Sequence, residues 1–134
     1  MKDLLIVYNI YGTQNNNQRY FDEIDKIIWH VNSNNLFSNV RIVISAVLKS
    51  ENDLTEIKNK YKNLIRIFEY NKRYPVQVSF NKTVLSSIEE FKEDYNGYLY
   101  ISAGVLLNDD INLLPNLIKK NNTNDFGIIH IRSE

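Results

Sequence analysis

The chain has 134 residues, 43% hydrophobic and 24% charged, which fits one globular domain with a single core. Lys+Arg and Asp+Glu are both 16, so the net charge is zero, which argues against a dedicated nucleic-acid binder that gains affinity by neutralising phosphates. The lack of cysteine excludes a disulfide scaffold, a thiolate zinc site and a cysteine nucleophile, and two histidines are too few for a His-rich metal site.

The first element is a strand. Leu4 to Tyr8 is an unbroken apolar run stopped at Asn9, the pattern of a strand buried on both faces. Gly12 to Asn17 reads as a loop. Tyr20, Phe21, Ile24, Ile27, Ile28 and Val31 then recur at three and four residues, one face of a helix that ends near the Asn32–Asn35 cluster. Val40 to Leu48 is a second strand, rich in Val and Ile. Leu54, Ile57 and Tyr61 mark a short second helix with Ser50 or Asn52 as its cap. Leu64 to Phe68 is a third strand.

Pro75 breaks the chain, and Val76 to Phe80 reads as a short irregular piece. Val84, Leu85, Ile88, Phe91 and Tyr95 predict a third helix, starting near Asn81-Lys82. Tyr98 to Ile101 is a fourth strand, Ile111 to Ile118 a fourth helix capped by Asn108 or Asp109, and Phe126 to Ile131 a fifth strand. Asn and Ile are both used heavily. Both have AT-rich codons, and the Asn15–Asn17 and Asn121–Asn122 runs read as loop.

Strand and helix alternate throughout, so the expected fold is an α/β three-layer α/β/α sandwich with a mainly parallel, Rossmann-like sheet, one domain over residues 1–134. No apolar run approaches the ~18 residues of a membrane span. The start, Met1-Lys2-Asp3-Leu4, is too acidic and its apolar run too short for a signal peptide, so a cytoplasmic location is expected. Asn81-Lys82-Thr83 and Asn121-Asn122-Thr123 match the glycosylation sequon, but nothing routes the chain for secretion.

In a sheet of this type ligands bind beyond the carboxyl ends of the strands. That directs attention to Asn9–Gly12, Ser45–Ser50, Glu69–Arg73 and Ser102–Asp110. Neither a G-x-G-x-x-G turn nor a G-x-x-x-x-G-K-[ST] loop is present, and G-x-S-x-G is missing as well. A receiver domain would want acids after the first strand, where Tyr8-Asn9 stands. A flavodoxin-like module would want a phosphate loop.

Three stretches carry a resemblance: Val7-Tyr8-Asn9 at the first strand end, Ser79-Phe80-Asn81-Lys82-Thr83 before the fourth strand, and Gly97 to Ile118. Together they resemble the nucleotide-sugar-binding half of GT-A glycosyltransferases, above all the family 2 group, and in fold order the resemblance spans essentially the whole chain. The Ser102–Asn108 stretch also looks like a segment of family 8 transferases, although the D-x-D that precedes it there has no counterpart here. The resemblance implies transfer of a sugar from a nucleotide-diphosphate sugar to an unknown acceptor. It implies base or ribose contact by Tyr8, Asn9 and Ser45, diphosphate contact by Arg73 or Lys82, and donor positioning by Ser102, Ala103 and Gly104. No catalytic base can be assigned.

The family's D-x-D aspartates, which hold Mn²⁺ or Mg²⁺ against the diphosphate, align with Ser102-Ala103-Gly104, and the acid at the second strand end aligns with Ser45. The usual ligands of a metal cofactor are therefore missing. The alternative is a catalytically degenerate GT-A domain that binds a nucleotide or a protein. Asp109 and Asp110 are either displaced metal ligands or the cap and first turn of the fourth helix. Lys72, Arg73 and Lys82 are either diphosphate ligands in place of a metal or a solvated charge cluster. His30 falls off the apolar stripe, and His130 lies inside a strand run. Trp29 also falls off the stripe, so an exposed Trp and association into a homo-oligomer through the first helix are expected.

Overall fold

The computed structural model describes residues 2–11, 18–47, 55–72 and 74–103. Its centre is strand β1 (Lys2–Tyr11), in which Leu4 to Tyr8 are all fully buried, as a strand covered on both faces must be. Strands β2 (Val40–Val47) and β4 (Tyr95–Ser102) pair with β1 on either side, and β3 (Arg66–Tyr70) pairs with β2. All pairs are parallel, and the order is β3-β2-β1-β4.

Helices α1 (Gln18–Ser33) and α2 (Thr55–Tyr61) cover one face. Their Tyr20, Ile24, Ile27, Val31, Ile57 and Tyr61 pack with Leu4, Ile6, Tyr8 and Ile10 of β1. Helix α3 (Val76–Phe91) covers the other face, where Phe80, Val84 and Ile88 meet Leu5, Val7, Val43 and Phe68. The three layers arise because each parallel strand returns through a crossover that leaves a helix on the sheet. No helix among the described residues is long and apolar enough to cross a membrane. The fourth helix and fifth strand expected from the sequence lie outside the described residues.

Three expectations are corrected. Tyr95, expected on the third helix, opens strand β4 opposite Lys2, three residues before the expected strand start at Tyr98. The third strand runs two residues later than its apolar run suggests, because Leu64 lies exposed in the turn after α2 and the pairing with β2 begins at Arg66. The third helix starts at Val76, not near Asn81-Lys82. Pro75 is its N-cap residue, and Val76 to Phe80 form its first turns. Hydrophobic spacing misleads here because the fully buried positions of α3 are Ser79, Thr83 and Ser87, while Val76, Val78 and Leu85 are exposed. Each buried hydroxyl donates to a carbonyl one turn back: Ser79 to Val76 at 3.0 Å, Thr83 to Ser79 at 2.7 Å and Ser87 to Thr83 at 2.7 Å. Small self-satisfied residues let the helix backbone approach the sheet closely. Trp29 is 63% exposed, as its off-stripe position predicts, and stacks edge-on with His30 at 4.8 Å.

Candidate functional site

The strand order places a topological switch at the centre of the sheet. From β1 the chain steps outward to β2 and β3, then crosses back through α3 to β4 on the far side of β1. The crevice for a ligand in an open parallel sheet opens at such a switch, outside the carboxyl ends of the strands.

At that end the register aligns Asn9 of β1 with Ser45 of β2 and Ser102 of β4, and Ser45 in turn with Phe68 of β3. Successive strand residues point to opposite faces, so Asn9 shares the α3 face with Leu5 and Val7. A polar row therefore crosses three strands under the start of α3. Phe80 of α3 stacks edge-on with Tyr100 of β4 at 5.4 Å, and the Tyr70 and Thr83 hydroxyls lie 2.8 Å apart. These contacts hold the first turns of α3 over the row.

The central member of the row is the anomaly. Asn9 is 0% exposed, yet neither its carboxamide nitrogen nor its oxygen has a hydrogen-bond partner among the described residues. Ser45, also 0% exposed, has a hydroxyl without a hydrogen-bond partner among the described residues. Leaving a buried polar group unpaired costs roughly 1–3 kcal/mol, so such groups are exceptions that call for a functional or solvent partner. Ser102 is half-buried beside them.

The other expected residues divide. Tyr8 points to the opposite face, fully buried in the α1/α2 core, and does not join Asn9 and Ser45. Its hydroxyl lies beside the Glu23 carboxylate without meeting hydrogen-bond geometry. Burial first, and Glu23 second, push its pKa far up, so it stays neutral. Ala103 is half-buried against that same core, and its backbone nitrogen donates to the Asn9 carbonyl at 2.8 Å. Lys82 is exposed near the start of α3. Arg73 and Gly104 lie outside the described residues, as do Asp109, Asp110 and His130.

Two features were missed by sequence reasoning. Glu23 is only 5% exposed on the core-facing side of α1. Its spacing from Tyr20 and Ile27 already put it on the apolar stripe. Tyr74, the second, offers one ring to two lysines. Lys72 Nζ is 5.8 Å and Lys82 Nζ 5.0 Å from its ring centre, so the two lysines grouped in the sequence meet at an aromatic ring that the grouping did not name.

A divalent cation would want carboxylate oxygens at the end of β4. The side chains there are the Ser102 hydroxyl and the Ala103 methyl, which do not fit it, and no group of three or more His, Cys, Asp or Glu gathers among the described residues. An open groove of about 490 Å³ lies elsewhere, along β3, lined by Lys58, Lys62, Ile65, Arg66, Ile67 and Glu69. Lys58 there is paired with Glu69, and Arg66 with Glu90 outside the lining, so the groove offers less unmet polarity than the Asn9 row.

Comparison with protein-family models, with curated proteins and with solved structures finds no match to this chain.

Proposed function

We propose that the carboxyl edge of the sheet binds a nucleotide-diphosphate sugar, and that the protein is a GT-A-type glycosyltransferase that passes the sugar to an unknown acceptor. The observation that carries this reading is the buried carboxamide of Asn9, unpartnered among the described residues, at the switch between β1 and β4 and flanked by Ser45 and Ser102. A carboxamide presents a donor and an acceptor side by side, which suits the paired donor and acceptor edge of a nucleobase. Ser45 and Ser102 supply hydroxyls for the ribose or sugar. Because Asn9 and Ser45 are covered, entry requires a local opening at the start of α3.

A second reading is favoured by one specific observation. Ser102 and Ala103 stand where the resemblance calls for acids, so the domain would bind a nucleotide and leave chemistry undone. Ligand-observed NMR with UDP-glucose and GDP-mannose, together with an assay of donor hydrolysis, separates the two. Binding that is lost in Asn9→Leu, with donor turnover, supports the transferase. Binding without turnover supports the module. Failure of every nucleotide diphosphate to bind at millimolar concentration overturns both.

A further inference from the structure

The diphosphate of such a ligand carries about two negative charges, which need counter-charges wherever water is partly excluded. Among the described residues the end of β4 offers a metal only the Ser102 hydroxyl, since the Ala103 methyl has no donor atom, so the usual metal bridge has no carboxylate footing among them. Cations at the same edge do. Lys72 follows β3, Lys82 lies in the second turn of α3, and both ammonium groups approach the one ring of Tyr74. Tyr74 meets Tyr70 edge-on at 6.0 Å, and Tyr70 reaches the Thr83 hydroxyl, so the ring that the lysines share is braced against the α3 face.

The charge state of this pair sets it apart. Lys2, Arg19, Arg41, Lys58, Lys60 and Arg66 each face a carboxylate. Neither Lys72 nor Lys82 has a carboxylate partner among the described residues. Two like charges over one ring, neither paired with a carboxylate among the described residues, make a local excess of positive potential. The adjacent start of α3 adds to it, since Pro75 offers no side-chain cap and the first backbone N–H groups of a helix lack intrahelical partners. Lys62 and Lys92 also lack a carboxylate partner in that set, but they follow the ends of α2 and α3 at the opposite edge of the sheet.

We infer that Lys72 and Lys82, whose ammonium groups share the ring of Tyr74, neutralise the ligand's diphosphate directly, without a divalent cation. This rests on the nucleotide-sugar reading of the carboxyl edge. Adjacent strands lie about 4.8 Å apart, so a ligand with its base at Asn9 and its phosphates over β3 would span two strand spacings, roughly 10 Å.

The test is titration of the full chain with UDP and with inorganic pyrophosphate, each with and without EDTA. It compares Lys72→Ala/Lys82→Ala with a control of equal charge change, Lys62→Gln/Lys92→Asn. The expected result is UDP binding that survives EDTA, weakens at least tenfold in the first double variant and changes less than twofold in the control. Raising salt should mimic part of that loss. Binding abolished by EDTA, or weakened equally by both double variants, overturns the inference and leaves the nucleotide reading standing. Lysine-dependent binding of pyrophosphate without binding of UDP keeps the anion site and removes the nucleotide reading. Failure of both probes to bind at millimolar concentration removes both.

Discussion

The Arg41 guanidinium and the Glu93 carboxylate form a two-bond fork, Nε to Oε2 at 2.9 Å and Nη2 to Oε1 at 2.7 Å. The Tyr95 hydroxyl donates to Glu93 Oε2 at 3.0 Å, Lys2 Nζ lies 3.9 Å from Oε1, and the guanidinium sits 3.9 Å over the Phe91 ring. One carboxylate thus ties the starts of β1, β2 and β4 to the end of α3, at the sheet edge opposite the candidate site. The planar fork fixes direction as well as charge.

The Arg41 hydrogen bond holds the Glu93 pKa below its ordinary value near 4.5, against an opposing effect of burial. A folded-state pKa below the unfolded one means that the pair contributes stability above about pH 4.5, which is lost as pH falls through the folded value. Glu93→Gln should cost about 1 kcal/mol near neutral pH. The gap to the parent protein should narrow below about pH 4.5. Urea melts of both proteins across that range check it, and a gap that does not change with pH would remove the electrostatic account.

Asn9→Leu replaces an unpartnered carboxamide by an apolar side chain of similar shape. It should raise unfolding stability by roughly 1–3 kcal/mol while abolishing nucleotide binding. Thermal melts of the ligand-free proteins give the sign. A destabilised variant would mean that the amide is already satisfied in the free protein and is not waiting for a ligand.

Helix α3 should tolerate change at its exposed apolar residues and resist enlargement at its buried polar ones. Leu85→Ser alters an exposed side chain and should shift stability by less than about 0.5 kcal/mol. Ser87→Leu forces a large side chain between helix and sheet and should cost about 1–3 kcal/mol. Ser87→Ala should be near neutral, since it removes only a bond back to the Thr83 carbonyl. The reverse order in chemical denaturation would place the third helix back in the frame that its apolar residues suggest.

Local pattern in the sequence determined the elements whose burial follows apolar spacing. Leu4 to Tyr8 had to be a covered strand, the Tyr20–Val31 stripe had to be a helix face, and their alternation with further apolar runs implied an α/β sandwich. It also placed Trp29 in solvent. Tertiary packing decided the rest. Strand alternation says that Tyr8 and Asn9 point to opposite faces, but only the positions of α1 and α3 decide that Tyr8 joins the core and Asn9 the unpartnered row. The buried Ser79–Thr83–Ser87 stripe is polar, so periodicity could not reveal it. Its burial depends on how closely α3 approaches the sheet. The meeting of Asn9 with Ser45 and Ser102 joins residues distant in sequence, and the shared contact of Lys72 and Lys82 with Tyr74 depends on how the start of α3 folds back on the end of β3. Hydrophobic spacing encodes which residues leave water. Which of them then become neighbours is set by strand order and helix docking, whose free energy belongs to the assembled sheet and not to any one segment.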